Sequence, residues 1–272
     1  MSDFLHYLVR EPPFRFFVQK LLKLVAPSVR TRATWDLSDR PHYLVGVLQA
    51  ADSAKSAGVA RIAVVEFGVA GGNGLLALQR ISEDVEKATG VQITVYGFDS
   101  GSGLPEPCGD YRDHPDHWAE GDYAMDYSRL ESHLTSRTKL ILGDVKNTVP
   151  EFVDGQDAPL GFVAMDLDLY SSTRDALRIL ALPKKRMLRR TYMYFDDVSH
   201  HSSHRFAGEL LAIDEFNEKE KDVKIDRWRN LGTGRPFFER SWIQKMYVAH
   251  DLRAISQFER AKREAKSLEL RV

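Results

Sequence analysis

The sequence has very little cysteine and no long apolar run. Cys108 is the only cysteine in 272 residues, which excludes an intrachain disulfide and a zinc site built from cysteines. No stretch approaches the roughly 20 consecutive apolar residues of a membrane-spanning helix, and the N-terminus lacks the pattern of a signal peptide. We therefore expect a cytoplasmic protein without a membrane partner.

The sequence also lacks an excess of one charge. It has 38 Lys and Arg against 39 Asp and Glu, a formal net charge of -1. Nucleic-acid-binding proteins usually carry a basic surface, so we expect no nucleic-acid partner. A hydrophobic content of 43% and an aromatic content of 10% are typical of a folded protein. The length fits one α/β domain with additions.

Hydrophobic periodicity divides the chain into an N-terminal helical extension, residues 1–40, and an α/β domain, residues 41–272. We interpret the extension, with apolar residues at helical spacing from Phe14 to Val25, as a lid or an oligomer contact. We predict strands at Arg61–Phe67, Val91–Phe98, Leu140–Leu142, Phe162–Met165, Tyr192–Phe195 and Trp242–Ala249, and helices at 43–57, 74–88, 169–182 and 258–270. This alternation predicts a mostly parallel sheet with helices on both faces.

A glycine-rich turn follows the first predicted strand. Glycines stand at positions 68, 71, 72 and 74, directly after Glu66 and Phe67. Glycine permits a tight turn and a close approach of the main chain to a ligand. The next strand leads into Asp99, whose carboxylate is placed to accept hydrogen bonds from the ribose hydroxyls of an adenosine ligand. This arrangement predicts a nucleotide-type cofactor site.

Two cofactors fit such a turn. Short-chain dehydrogenases bind a nicotinamide dinucleotide there, but they need a tyrosine with a lysine four residues later, and no tyrosine of this chain has that partner. Glu66 would repel a pyrophosphate, whereas it suits the positive amine and sulfonium of S-adenosylmethionine. We favour S-adenosylmethionine. The alternatives are an NAD(P)-dependent oxidoreductase of Rossmann type and a non-catalytic S-adenosylmethionine-binding protein.

Four aspartates follow two later strands. Asp166 and Asp168 come after one strand, and Asp196 and Asp197 after the next. Ligands of open α/β sheets bind outside the carboxyl ends of the strands, and carboxylates crowded there repel one another unless a cation joins them. Mg²⁺ suits such oxygen ligands, so we predict a metal site at Asp166, Asp196 and Asp197. Asp168 fits metal or substrate contact and capping of the next helix equally well.

Histidines occur in the loops near these aspartates, at His114, His200, His201 and His204. A histidine titrates near neutral pH and can act as a general base, although a loop histidine without chemistry is the more common case. Our candidates for the group that takes a proton from the acceptor are Asp166, Asp168 and His201.

Four motifs together resemble the macrocin-O-methyltransferase family, which comprises sugar O-methyltransferases among the class I methyltransferases. The motifs are Val65–Val69, Gly97–Ser100 continuing to Gly103–Pro107, Met165–Thr173, and Phe195–Asp197. The resemblance implies a Rossmann-like class I methyltransferase fold with a seven-stranded sheet. It also implies S-adenosylmethionine, Mg²⁺, a small-molecule hydroxyl acceptor such as a sugar of a natural product, and a homo-oligomer such as a dimer.

By position, the resemblance implies that Glu66 and Gly68 line the methionine end of the cofactor, that Asp99 holds the ribose and that Asp144 or Val145 lies near the adenine. The residues expected to contact the cofactor are Glu66, Gly68, Val69, Ala70, Gly72, Asn73, Asp99, Ser100, Gly143, Asp144, Val145 and Asp166. The sequence departs from the family at 183–190, where five basic residues replace a Pro-Gly-Gly turn. The sequence therefore does not identify the molecule that accepts the methyl group.

Overall fold

The computed structural model describes residues 11–25 and 27–257. Within them, seven strands form one sheet in the order β3-β2-β1-β4-β5-β7-β6. The strands are β1 (Arg61–Phe67), β2 (Gln92–Asp99), β3 (Thr138–Leu142), β4 (Leu160–Met165), β5 (Met187–Phe195), β6 (Val223–Arg227) and β7 (Met246–Asp251). Strands β1 to β5 are parallel, and β7 runs antiparallel to both β5 and β6.

Helices connect the strands. They are α1 (Phe14–Leu24), α2 (Val29–Thr34), α3 (Pro41–Ser56), α4 (Asn73–Thr89), α5 (Tyr127–Glu131), α6 (Val145–Gly155), α7 (Tyr170–Ala176), α8 (Gly208–Lys219) and α9 (Leu252–Ser256). Short 3₁₀ turns occur at Tyr111–Asp113, Leu177–Leu180, Asp197–Ser199 and Ser241–Lys245. None of the helices within the described ranges is long and apolar enough to span a membrane.

Strand β1 lies at the centre of the fold. All of its residues after Arg61 are buried, and it pairs with β2 on one side and β4 on the other. Such continuous apolar strands are typical of parallel sheets covered on both faces. One hydrophobic core packs α3 and α4 on the first face, and a second core packs α6, α7 and α8 on the opposite face. The predicted mostly parallel sheet is confirmed.

The C-terminal part of the sheet differs from the prediction. The predicted strand Trp242–Ala249 begins as a 3₁₀ turn, and β7 starts only at Met246. Trp242 instead turns its indole N–H towards Asp36, at 3.4 Å. Strand β6 was not predicted, because its five residues alternate apolar and charged side chains over too short a span. The predicted helix at 258–270 lies outside the described residues.

The helix after β4 is shorter than predicted, and Asp168 does not cap it. Helix α7 ends at Ala176 and continues as a 3₁₀ turn, and no side chain of its own N-terminus caps it. The buried carboxylate of Asp113, from the loop after β2, accepts hydrogen bonds from the main-chain N–H and the hydroxyl of Ser171, at 2.7 and 2.8 Å. A distant residue therefore supplies the cap.

The N-terminal extension contains helix α1, which agrees with the helical spacing of its sequence. Arg15 ties α1 to the loop before β7, through a 2.9 Å bond to the main-chain oxygen of Pro236 and a 2.5 Å ion pair with Glu239. Several large apolar side chains of α1 are exposed, among them Phe17 and Leu24. Its role as a lid or an oligomer contact stays a prediction.

Candidate functional site

A cavity of about 640 Å³ opens at the carboxyl ends of β1, β2, β4 and β5. Of the residues predicted for the site, its lining contains Gly68, Ala70, Asp99, Ser100, Gly143, Asp144, Val145, Asp166, Asp168, Asp196 and Asp197. Glu66, Val69, Gly72, Asn73 and His201 lie outside the lining. The topology thus gathers side chains from five separate segments at one edge of the sheet, as expected for ligand sites in open α/β folds.

Asp99 organises the glycine-rich turn. Its Oδ2 atom accepts hydrogen bonds from the main-chain N–H groups of Val69 and Ala70, at 2.9 and 2.8 Å. Its Oδ1 atom accepts the N–H of Gly101 at 2.7 Å. Because each carboxylate oxygen can accept two bonds, Oδ1 keeps one position for a ribose hydroxyl. Val69 therefore serves the site through its main chain although its side chain is buried.

Two glycines allow the turn to pack against its neighbours. Gly68 has a φ of +81°, and a Cβ atom there would overlap the main-chain oxygen of Asp166. A Cβ atom on Gly74 would overlap the carboxylate of Glu66. Residues with side chains would therefore separate the ends of β1 and β4 and push α4 away from Glu66.

Glu66 lies beneath the turn rather than in the cavity lining. It is 1% exposed, and its Oε1 atom accepts the hydroxyl of Tyr43 at 2.5 Å. Its Oε2 atom is buried without a partner among the described residues. Burial raises the pKa of Glu66 to about 8, against the opposing effect of the Tyr43 hydrogen bond. Glu66 thus has one acceptor atom to offer.

Three of the four aspartates form a tight cluster. Asp166, Asp168 and Asp197 each offer one carboxylate oxygen, and these three atoms lie within 4.8 Å of one another. Burial and then the neighbouring carboxylates raise the pKa of Asp166 well above its usual value, that of Asp168 to about 7 and that of Asp197 to about 6. Asp197 Oδ2 is buried and has no hydrogen-bond partner among residues 11–25 and 27–257. Such a set is stabilised by protons or by a cation.

Asp196 is held differently from the other three. Its Oδ1 atom accepts the Tyr194 hydroxyl and the ammonium group of Lys245, the latter at 3.0 Å. Although burial opposes it, these two hydrogen bonds lower the pKa of Asp196. Both bonds go to Oδ1, so Oδ2 has no hydrogen bond within the described part of the chain. Asp196 is therefore ionised and oriented, with one oxygen free to bind a cation.

The histidine that reaches the cavity is His200, not the predicted His201. His200 belongs to the lining, while His201 is exposed and its ring is tilted against that of His200, at 4.0 Å between centroids. The cavity wall beyond the aspartates is built by Trp118 and Tyr123, whose ring centroids are 6.2 Å apart. No role for either residue was predicted from the sequence.

Glu209 is a further residue that sequence reasoning missed. This carboxyl is 1% exposed, and one of its oxygens accepts the main-chain N–H of Asp197 at 2.8 Å. It thereby fixes the turn that carries Asp197. Its place in the first turn of α8 gave no signal in the sequence, since acidic residues there usually complement the helix dipole in solvent.

No model of a known protein family matches the chain, and neither does the sequence of any curated protein. Solved structures do match. The calicheamicin methyltransferase CalS11 is 19% identical, with a TM-score of 0.52 over 88% of this chain and 93% of that chain. The O-methyltransferase NovP is 18% identical, with a TM-score of 0.50 over 77% of this chain and 79% of that chain.

The chain has a class I methyltransferase fold. This agrees with the sheet order, the antiparallel β7 and the cavity at the carboxyl ends of the central strands. At these identities the likeness establishes the fold alone, so the chemistry has to be argued from the site itself. The site combines a glycine-rich turn, held by Asp99, with a cluster of carboxylates in the same cavity.

Proposed function

We propose that this chain is an S-adenosylmethionine-dependent O-methyltransferase that uses Mg²⁺ and acts on a hydroxyl group of a small molecule. One observation carries the proposal: beside the glycine-rich turn, the cavity lining brings together Asp166, Asp168, Asp196 and Asp197, and oxygens of three of them lie within 4.8 Å of one another. A pyrophosphate would be repelled by these carboxylates, whereas a sulfonium cofactor and a divalent cation would be attracted. The fold is compatible with this assignment.

The cavity suits S-adenosylmethionine in size and lining. Its 640 Å³ fall within the range of about 300–1,000 Å³ common for small-molecule sites. Asp99 offers an acceptor to the ribose, and Asp144 and Val145 line the side assigned to the adenine. Gly68, which also lines the cavity, lies directly against the main-chain oxygen of Asp166, and the methionine part would lie there.

The carboxylates suit Mg²⁺. We assign the metal to Asp166, Asp196 and Asp197, because the Oδ2 atoms of Asp196 and Asp197 have no hydrogen-bond partner in the described part of the chain. Bound there, Mg²⁺ would supply a Lewis acid to polarise the acceptor hydroxyl. Tyr194 and Lys245 orient Asp196 from behind, as outer-shell partners of metal ligands commonly do.

Asp168 then takes the proton from the acceptor. Its carboxylate lies within the same cluster, and its backbone φ of +63° is one that residues other than glycine rarely adopt. Such strain is often retained at functional positions. S-adenosylmethionine bound beside this cluster would supply the methyl group to the acceptor oxygen and leave as S-adenosylhomocysteine, and Asp168 would accept the proton that the acceptor hydroxyl loses. Trp118 and Tyr123 supply apolar surface for the acceptor.

Calorimetric titration tests the cofactor assignment. We expect S-adenosylhomocysteine to bind and NADH not to bind, because the aspartates repel a pyrophosphate. Methyl transfer from S-adenosylmethionine to a hydroxyl acceptor should require Mg²⁺ and stop with EDTA. Binding of NADH without binding of S-adenosylhomocysteine would contradict the proposal, whereas binding of S-adenosylhomocysteine without any methyl transfer would indicate a non-catalytic cofactor-binding protein.

A further inference from the structure

The N-terminus of helix α3 presents main-chain donors that nothing in the described chain accepts. Arg40 is the residue before its first turn, and no side chain caps that turn. Pro41 has no N–H group, and the N–H groups of His42 and Tyr43 have no acceptor among the described residues. Unpaired donors at the start of a 16-residue helix form a site that favours a negative group.

Arg40 adds a full positive charge at the same place. Its guanidinium lies 5.2 Å from the ring centre of Tyr43 and has neither a hydrogen bond nor an ion pair with any described residue. The hydroxyl of that same Tyr43 donates to Glu66 Oε1 at 2.5 Å, and Glu66 stands at the end of β1, just before the glycine-rich turn. Tyr43 therefore connects Arg40 to the residue expected at the methionine end of the proposed cofactor site.

His42 supplies an independent sign of a ligand. Both nitrogens of its ring are buried and have no hydrogen-bond partner in the described chain. The ring stacks on Tyr194 at 4.1 Å and meets the edge of Tyr43 at 4.7 Å, so it borders the same tyrosine ring as the Arg40 guanidinium. Buried polar atoms in native proteins almost always have partners, which points to a bound group that supplies one.

The charges of the cofactor indicate what that group is. S-adenosylmethionine carries two positive groups and one carboxylate, and the carboxylate would be repelled by the ionised Asp196 and its neighbouring aspartates. It needs a cation near the methionine end of the site. Lys245 is engaged by Asp196 at 3.0 Å, whereas Arg40 has no ion-pair partner among the described residues.

We propose that Arg40, with His42 and the N-terminus of α3, binds the carboxylate of the methionine part of the cofactor. The inference rests on the proposed function, because it assumes S-adenosylmethionine as the ligand. Glu66, which accepts the Tyr43 hydroxyl, is then placed to bind the amine. Arg40 and Glu66 lie at the ring and the hydroxyl of Tyr43, so this one side chain would separate the two charged groups of the amino acid. The carboxylate would also supply the acceptor that the N–H groups of α3 lack.

Two nucleosides that differ only in the amino-acid part test this assignment. S-adenosylhomocysteine contains it, and 5′-methylthioadenosine does not. In calorimetric titrations, Arg40→Met should weaken S-adenosylhomocysteine about 10- to 100-fold, the range of one lost charged hydrogen-bonded contact. Binding of 5′-methylthioadenosine should stay within about twofold of the wild type, which also shows that the variant is folded.

Further titrations test whether the loss of affinity in Arg40→Met comes from the carboxylate of the ligand. Decarboxylated S-adenosylmethionine should bind the wild type and Arg40→Met equally. Arg40→Lys should restore part of the lost affinity, and the nearby cation variant Lys245→Met should leave the preference for S-adenosylhomocysteine over 5′-methylthioadenosine unchanged.

The opposite results would overturn the assignment. An unchanged affinity of Arg40→Met for S-adenosylhomocysteine would do so. An equal loss for both nucleosides would also do so, because it would mean that Arg40 only offsets the charges of Glu66 and Asp166. A wild-type chain that binds both nucleosides equally would contradict this inference alone, whereas one that binds neither would contradict the proposed function as well.

Discussion

The site has two acidic regions, and their carboxylates differ in whether main-chain N–H groups donate hydrogen bonds to them. Asp99, at the end of β2, accepts hydrogen bonds from three main-chain N–H groups, and both of its carboxylate oxygens have a donor. Asp166, Asp168 and Asp197, after β4 and β5, lie within 4.8 Å of one another with raised pKa values. The carboxylate of Asp99 holds its own chain in shape, whereas burial and neighbouring carboxylates raise the pKa values of the three clustered aspartates despite the opposing charges of Arg40 and Lys245.

This difference separates a structural role from a chemical one. A carboxylate that is already hydrogen-bonded to main chain stabilises the fold in the free protein. Carboxylates held together without donors destabilise it, and are retained where a cation or a reaction uses them. The same substitution, Asp to Asn, should therefore have opposite consequences in the two regions.

The largest effect is expected at Asp168. Asp168→Asn removes the proposed proton acceptor while keeping the shape of the side chain, so the turnover number should fall by about 10²–10⁴-fold. The affinity for S-adenosylhomocysteine should not change. The measurement is the initial rate of methyl transfer to one hydroxyl acceptor at saturating Mg²⁺. Asp122→Asn, which alters another acid of the lining, is the matched control, and an equal loss there would remove the special role of Asp168.

The next effect concerns the pH dependence of the metal-free chain. In the unfolded chain an aspartate ionises near pH 3.9, whereas burial raises the pKa of Asp168 to about 7 and of Asp197 to about 6 in the folded chain. Between these values the folded chain binds more protons, so its stability should fall as the pH rises from about 4 to 7. The loss is on the order of a few kcal/mol.

Thermal melts in EDTA at pH 5 and pH 7.5 measure this dependence. Added Mg²⁺ should raise the melting temperature more at pH 7.5 than at pH 5, because the cation competes with protons for the same oxygens. In EDTA, the decrease in melting temperature from pH 5 to pH 7.5 should be smaller for Asp197→Asn than for the wild type. If the melting temperatures of wild type and variant depend on pH to the same extent and do not rise with Mg²⁺, the cluster is not the metal site.

Asp99 provides the contrasting substitution. Asp99→Asn places an amide NH₂ where one carboxylate oxygen accepts a main-chain N–H, so the free energy of unfolding should drop by about 1–3 kcal/mol. Under the same metal-free conditions at pH 7.5, Asp197→Asn should be neutral or stabilising, since it relieves repulsion. Urea denaturation of both variants measures the comparison. Destabilisation of equal size in both would contradict the contrast between the two regions.

Much of the site could be predicted because its residues follow strands whose apolar patterns are clear. Strand β1 was predicted with its observed bounds, and the parallel order then places Asp99, Asp166 and Asp196 at one edge. Local sequence does not show which oxygen of a carboxylate already accepts a hydrogen bond from another part of the chain. The hydrogen bonds of Asp196 to Lys245, and of Asp113 to Ser171, join residues 49 and 58 positions apart.

The remaining differences have similar physical causes. His200 and His201 are adjacent, so no periodicity in a loop distinguishes the one that lines the cavity. Arg40 precedes a helix as many surface arginines do, and only its position over Tyr43 sets it apart. Within the basic stretch 184–190, Lys184 forms an exposed ion pair with Asp154 at 3.3 Å, and β5 begins at Met187. Tertiary contacts decide these cases, and single-residue propensities do not encode them.

The smallest expected effect tests whether Asp196 belongs with the metal cluster. Tyr194→Phe removes the hydroxyl that donates to Asp196 Oδ1, while Phe can still stack on His42 and the Lys245 bond remains. Loss of such an outer-shell partner should weaken Mg²⁺ about tenfold, measured by calorimetric titration of MgCl₂ into the chain saturated with S-adenosylhomocysteine.

The same strand offers a matched control for that variant. Tyr192 lies two residues earlier on β5, and its hydroxyl contacts Ser53 at 3.1 Å, away from the aspartates. Tyr192→Phe removes an equivalent hydroxyl and should leave Mg²⁺ affinity unchanged. If Tyr194→Phe binds Mg²⁺ as tightly as Tyr192→Phe does, Asp196 is not oriented for the metal, and the ligands are then Asp166, Asp168 and Asp197, whose oxygens already lie together in the free chain.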